Sequence, residues 1–303
     1  MSQIESTYKA RDVEEVIDRY FYRRVGYVLA GASKAIGLTP NGITIISILV
    51  GVSAGHLFYY DDLLTNIIGM LVLVTAEAMD SADGQLARMT NARSRLGRIL
   101  DGIAGNLMFL SIYLHLCLRI IASGWSAWIF LVAVASGISH SFQCAMADYY
   151  RNAFLYFVYG EERSELDKAS LVEMLYRRLT WKNDFIKKFF LRVYLNYTCQ
   201  QEMLARNFQQ LYATARKQFD VNVPEWLRQE YASNNKPLLK YYNFITTNTR
   251  MIALFCALLI GNVYLYFAFE LVVLNAVLIV LTVKQENLNR QMLESVRHLP
   301  VEA

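Results

Sequence analysis

The stretch Asp80-Ser-Ala-Asp83-Gly84-Gln-Leu-Ala87-Arg88-Met-Thr-Asn-Ala-Arg93-Ser-Arg95-Leu-Gly97-Arg98-Ile-Leu-Asp101-Gly-Ile-Ala-Gly105 decides how this chain is read. Apolar segments flank it on both sides, at roughly 63–80 and 99–121. Each is close to the ~20 residues a helix needs to cross a hydrocarbon core. Carboxylates at the ends of such segments are costly, so they point to function.

Working outward, further apolar stretches lie at roughly 42–60, 125–147, 250–267 and 269–284, giving six spans. Gly261, Asn262 and Glu270 interrupt the last pair. The chain of 303 residues is 55% apolar and 18% charged. That is too apolar for an ordinary soluble domain and too charged for a bare membrane bundle. The expected fold is therefore all-α and integral to the membrane: a six-transmembrane-helix bundle with polar portions outside it.

Lys9, Arg11, Arg19, Arg23, Arg24 and Lys34 precede the first span, and the first connection carries only Asp61 and Asp62. Arg88, Arg93, Arg95 and Arg98 fill the second connection, and Arg119 alone lies near the third. Lys284, Arg290 and Arg297 follow the sixth span. This alternation predicts that both termini and the aspartate run are cytoplasmic. A net charge of +4 gives no reason to expect nucleic acid, although it suits an anionic lipid surface.

Residues 11–37 read as an amphipathic helix, with Val13, Ile17, Tyr20, Phe21, Val25 and Val28 at helical spacing. Such a helix can lie in the membrane interface or pack on its own protein. The expected division is 1–41 for this N-terminal part, 42–147 for spans one to four, 148–248 for a helical cytoplasmic insertion, 249–284 for the last two spans and 285–303 for a tail. In the insertion, Pro224 marks a helix start and Pro237 a break. The polar first ten residues show no cleavable leader. Cys117, Cys144, Cys199 and Cys256 are scattered and read as packing residues.

On a helix, Asp80, Asp83, Gly84 and Ala87 fall at i, i+3, i+4 and i+7 and share a face. Gly97, Asp101 and Gly105 do the same at i, i+4 and i+8. A hairpin of the two helices brings Asp80, Asp83 and Asp101 to one point. Three carboxylates there call for a cation, and an all-oxygen donor set suits Mg²⁺, Mn²⁺ or Ca²⁺ rather than zinc. Arg88, with Arg93 and Arg95, suits phosphate oxygens. The competing reading is three ordinary helix-end carboxylates in water.

The pattern Asp80-x-x-Asp83-Gly84-x-x-Ala87-Arg88, eight residues, then Gly97-x-x-x-Asp101 resembles the signature of the CDP-alcohol phosphotransferase (CDP-alcohol phosphatidyltransferase) family. The resemblance covers roughly 38–150, and the 148–248 insertion not at all. It implies a six-span, dimeric membrane enzyme of phospholipid biosynthesis. Such an enzyme moves a phosphatidyl or phospho-alcohol group from CDP-diacylglycerol, or another CDP-alcohol, to an acceptor alcohol with release of CMP, using Mg²⁺ or Mn²⁺. Carried over, Asp80, Asp83 and Asp101 hold metal. Gly84, Ala87, Arg88 and Gly97 serve the donor nucleotide, and Asn41 and Thr44, beside Thr39-Pro40, approach the diphosphate.

The family pattern places a further Asp, the general base, where this chain has Gly105. Glu77 and Asp148 are the candidate replacements, with His140 a third, although a histidine on an apolar helix is usually structural. Arg151, in Asp148-Tyr149-Tyr150-Arg151-Asn152, is a candidate acceptor-binding residue, or else a basic anchor in an aromatic belt. Three functions stay open: a transferase, a catalytically weak homologue that binds CDP-donor and metal as a scaffold, and a divalent-cation transporter. The transporter is disfavoured because the acids cluster at one end with no acidic path beyond.

Overall fold

The computed structural model describes residues 12–92 and 94–298, apart from the Leu96 side chain. The polar first ten residues, Lys9 among them, and Arg11 and Arg93 lie outside the described residues. Those described are helical and contain no strand. Among the described residues, six helices are long and apolar enough to cross a membrane, the architecture of a multi-pass membrane protein. They lie in Pro40–Leu57, Leu63–Met89, Gly97–Ala122, Ile129–Tyr159, Glu225–Ile260 and Tyr264–Arg297.

The chain divides into two compact units. The first comprises the residues up to His140 together with Thr247–Leu271. A π-helical stretch, Asp18–Tyr22, runs into α1 (Arg23–Ala35), and Gly37 follows at φ 76°. Three helices then start on side-chain caps, which satisfy amides that the first turn leaves without partners. For α2 (Pro40–Leu57), Thr39 Oγ1 accepts from the Gly42 amide at 3.1 Å. For α3 (Leu63–Met89), Asp62 accepts from the Thr65 amide at 2.8 Å. For α4 (Arg95–Ala122), Ser94 Oγ accepts from the Gly97 amide at 2.9 Å. Proline at the first position of α2 costs no hydrogen bond.

Small residues set how closely these helices approach. A Cβ on Gly55 of α2 would lie 2.9 Å from the Ile112 amide nitrogen of α4, so only glycine fits there. On Gly26 of α1 it would lie 3.1 Å from the Ala82 amide nitrogen of α3. Phe58, Leu73, Phe109, Leu116, Leu254 and Tyr266 fill the core. Ile45, Leu49, Leu71, Leu110 and Leu131 face outward, as expected of helix surfaces in lipid. Arg119 is turned inward, paired with Asp61 and 3.4 Å from both the Phe58 carbonyl and Asn66 Oδ1. It closes the end of the bundle where α2 and α4 finish and α3 begins. The N-terminal segment is amphipathic as read, and one side of it packs on its own protein. Gly26 and Ala30 are buried, while Val16 and Val28 are each 69% exposed.

The last hairpin differs from its sequence reading. After α5 (Ile129–Tyr159), α6 (Ala169–Arg178), α7 (Phe185–Leu204), α8 (Arg206–Phe219) and α9 (Glu225–Tyr242) comes α10 (Thr247–Ile260). Gly261, at φ 75°, closes α10, and Asn262 Oδ1 accepts from the Tyr264 amide at 3.1 Å to start α11 (Tyr264–Ala268). The residues that interrupt the apolar run are therefore the turn between spans five and six. That boundary falls near 261–263 rather than at 268. Glu270 lies beyond it, in a π-helical stretch, Phe269–Leu274, that leads into α12 (Asn275–Arg297).

The second unit comprises Ser141–Thr246 and the residues from Val272. Pro224 precedes α9 as read, but Pro237 lies inside that helix and does not break it. Proline removes one hydrogen bond there, yet Tyr231, Leu238, Leu239 and Tyr242 are buried around it and keep the helix packed. Glu286 of α12 joins the membrane-type helix to the insertion. Its carboxylate accepts from the amides of Asn207 (2.6 Å) and Phe208 (3.3 Å) at the start of α8, and from Tyr150 Oη (2.9 Å). A carboxylate at a helix N-terminus satisfies free amides and meets the positive end of the helix dipole.

Candidate metal and phosphate site

The spacing that puts Asp80 and Asp83 on one face holds because α3 continues to Met89, well past its apolar part. Asp101 faces them from the second turn of α4. One carboxylate oxygen from each of Asp80, Asp83 and Asp101 lies within 4.8 Å of the others. Asp83 is buried, Asp80 half-buried and Asp101 exposed, so the cluster opens on one side. Oδ1 of Asp80 is buried and has no hydrogen-bond partner among the described residues. A buried carboxylate oxygen without a donor is costly, and two further carboxylates beside it add repulsion. This donor set fits a hard divalent cation, which bonds to oxygen and would satisfy that atom.

Thr44 of α2 is hydrogen-bonded to Asp83 Oδ2 and also lies 3.1 Å from the Pro40 carbonyl. The resemblance implies that Thr44 approaches a diphosphate, and its hydroxyl also orients an aspartate of the cluster. Asn41 Oδ1 lies 3.2 Å from where a Cβ on Gly97 would stand. The first turns of α2 and α4 therefore meet beside the aspartates, and two helix N-termini favour anionic oxygens. Arg88, in the last turn of α3, folds its guanidinium back over Gly84. Its two terminal nitrogens lie 3.4 and 3.5 Å from a Cβ built on that glycine. Ala87 is half-buried on the same helix. Cationic nitrogens, helix N-termini and small residues around three carboxylates can hold a metal-bound diphosphate.

Gly105 is half-buried one turn after Asp101, and a Cβ built on it meets nothing within 4 Å. The space a Cβ would use is open. Glu77 is half-buried one turn before Asp80 and faces the N-terminal segment. Burial, and after it the charges of Glu77 and Asp18, raise the Tyr22 phenol. Burial acts to lower the Arg23 guanidinium, but Glu14, Asp18 and Asp101 outweigh it and its pKa is raised. Arg23 Nε donates to Glu14 Oε2 at 2.9 Å, and Gln85 Nε2 donates to the Arg23 carbonyl at 3.0 Å. The stretch from Glu14 to Arg23 is thus a wall of the site that the motif did not reveal.

His140 sits in the core of the first unit, with Nδ1 3.0 Å from Tyr113 Oη and its ring 4.6 Å from that of Phe109. Asp148 and Arg151 belong to the second unit. There, Asp148 Oδ1 accepts from Asn152 Nδ2 at 3.0 Å, and Arg151 Nη2 donates to Asn243 Oδ1 at 2.8 Å. The cysteines are free thiols, of which Cys117 is buried.

The stretch that builds this geometry also matches known proteins. A family model described as CDP-alcohol phosphatidyltransferase covers residues 37–153. Residues 37–153 are a CDP-alcohol phosphatidyltransferase domain. The chain is also similar to an archaetidylinositol phosphate synthase from Pyrococcus horikoshii, with 35% identity over 95 residues. That alignment takes in 31% of this chain and 47% of the relative, so the chain spans about half the length of the curated relative it matches. The domain contains α2, α3, α4 and most of α5, and with them all three clustered aspartates, Asn41, Thr44, Arg88 and Gly105.

Proposed function

We propose that this chain is a phospholipid-biosynthesis transferase. It moves a phosphatidyl or phospho-alcohol group from a CDP-linked donor to an acceptor alcohol and releases CMP. The observation that carries the reading is the approach of the Asp80, Asp83 and Asp101 carboxylates to within 4.8 Å, beside the first turns of α2 and α4. Mg²⁺ or Mn²⁺ held by these three residues would neutralise the diphosphate and make CMP a better leaving group. Thr44 holds Asp83 in orientation, Arg88 and Asn41 face the phosphates, and Gly84, Ala87 and Gly97 leave room for the cytidine.

The acceptor oxygen forms a bond to the donor's distal phosphorus as the bond from that phosphorus to the CMP oxygen breaks. The acceptor proton passes to Glu77, the carboxylate nearest in sequence to the cluster on the face it shares with Asp80. Asp148 is the alternative base and Arg151 a candidate for an anionic acceptor. The active site and both termini face the cytoplasm in this reading, α1 lies in the lipid interface, and the chain forms a homodimer.

The test is CMP release from labelled CDP-diacylglycerol by reconstituted protein with Mg²⁺ or Mn²⁺. The acceptors compared are inositol phosphate, glycerol phosphate, serine, choline and a lipid hydroxyl. Inositol phosphate heads the series because the Pyrococcus relative is named for a lipid that carries this group. Activity lost in Asp80→Ala and Asp101→Ala supports the reading, and a protein that neither binds CDP nor turns over any donor overturns it. Gly105 favours a second reading, a donor-binding scaffold, which would show metal-dependent CDP affinity with negligible turnover.

A further inference from the structure

We infer that the α6–α7 hairpin of the second unit is a docking surface for anionic lipid headgroups. Its apolar residues face out rather than in. Trp181 is 47% exposed, Phe185 61%, Ile186 67% and Phe189 48%, and Leu171 and Met174 on α6 are exposed as well. Phe185, Ile186 and Phe189 occupy i, i+1 and i+4 of α7 and form one stripe.

Cations rim this stripe. Residues 169–192 carry Arg177, Arg178, Lys182, Lys187, Lys188 and Arg192 against only Glu173 and Asp184, an excess as large as the +4 of the whole chain. Both acids are engaged locally. Glu173 pairs with Arg177 at 2.6 Å, and Asp184 Oδ2 accepts from the Thr180 amide at 3.3 Å.

The platform is preformed. Lys188 Nζ donates to the Leu179 carbonyl at 2.6 Å and lies 4.7 Å from the Tyr176 ring centroid and 5.6 Å from that of Trp181. Trp181 in turn packs on Phe185 at 5.6 Å. An aromatic and aliphatic stripe edged by Lys and Arg has the chemistry of a lipid headgroup boundary. Soluble proteins seldom leave so many large apolar side chains together in water. A second copy of this surface is the poorer occupant, because it would set the same six cations against six more.

Trp181 supplies its own probe. Trp125, Trp128 and Trp226 are changed to Phe, and the full chain is placed in nanodiscs whose acyl chains carry bromine. One set contains phosphatidylglycerol and the other only phosphatidylcholine. Emission from Trp181 is expected to be quenched roughly twofold more in the anionic discs, with the difference falling as salt rises. The combined Lys182→Gln, Lys187→Gln, Lys188→Gln and Arg192→Gln variant is expected to lose that difference. The lipid comparison at unchanged hairpin charge does not depend on how this variant folds. Trp181 unquenched and equally open to iodide in detergent and in anionic discs overturns the inference. Trp181 shielded from iodide yet insensitive to lipid bromine also overturns it, and indicates a second copy instead.

Discussion

Arg250 Nε and Glu270 Oε1 lie 3.1 Å apart, and neither side chain is exposed to solvent. Arg250 sits on α10, and Glu270 in the π-helical stretch that precedes α12, so the pair spans the turn at Gly261 and ties the last hairpin together. Tyr113 and Tyr266 stack beside it with ring centroids 6.1 Å apart. A buried pair is strongly destabilising to break, because the remaining charge loses its partner. Arg250→Leu or Glu270→Leu alone is expected to lower stability by about 3–5 kcal/mol, seen as a fall in thermal midpoint in detergent. The double variant is expected to recover most of the loss. A double variant as unstable as the sum of the singles would show that the pair is not coupled.

The approach of α2 to α4 makes a second expectation. Gly55→Ala forces a methyl group against the backbone at Ser111 and Ile112, and should cost about 1–3 kcal/mol. Gly31→Ala, on the exposed side of α1 with nothing within 4 Å, should be neutral or stabilising by about 0.5–1 kcal/mol. Parallel melting curves check both, and equal effects at the two positions would refute the packing argument.

How much of this was legible in the sequence depends on the distance over which a contact acts. The aspartate cluster was readable because helix periodicity places residues three, four and seven apart on one face. Thr44 to Asp83 was not, since 39 positions separate them and nothing local selects that hydroxyl. The same holds for Asn248, which donates to Glu15 Oε2 and Asp18 Oδ1 from 233 and 230 positions away. Breaker residues were ambiguous for a related reason. Gly261 makes a turn, whereas Pro237 is overridden by the packing of Tyr231 and Tyr242.

Asp18 makes stability depend on pH. Burial, then the neighbouring Glu15, push its carboxyl up to about 6, with Asn248 and Arg23 pulling the other way and Glu14 adding to the rise. Tyr22 and Glu77 face it as well. The folded protein therefore holds this proton more tightly than the unfolded chain does. The contribution is complete below the ordinary carboxyl value near 3.8 and is lost as pH rises through about 6. Relative to Asp18→Asn, the native chain should lose roughly 2 kcal/mol between about pH 4 and pH 7. Paired unfolding curves across that window measure it, and parallel curves would refute it.

Glu77→Gln should lower kcat by about 10²–10⁴-fold while leaving metal-dependent CDP binding within a few-fold of the native value. Adding Gly105→Asp should restore part of the turnover, since the space beside Gly105 is open. Turnover unchanged in Glu77→Gln would remove it as the base. Thr44→Val should instead weaken metal binding by about 10–100-fold, because it frees Asp83 from its hydrogen bond.

Glu286 makes the segment before α9 depend on the last helix. Its carboxylate is shared between the α8 amides and Tyr150, and Asn207 Nδ2 donates back to the Glu286 carbonyl at 3.0 Å. Excising α8 would strand an anion on the last helix and uncover Tyr149, Tyr150 and Phe157, whose rings pack against Phe208. The insertion is therefore not a detachable module. It and the C-terminal helix form one packing unit, and a transplant of either without the other should fail to fold.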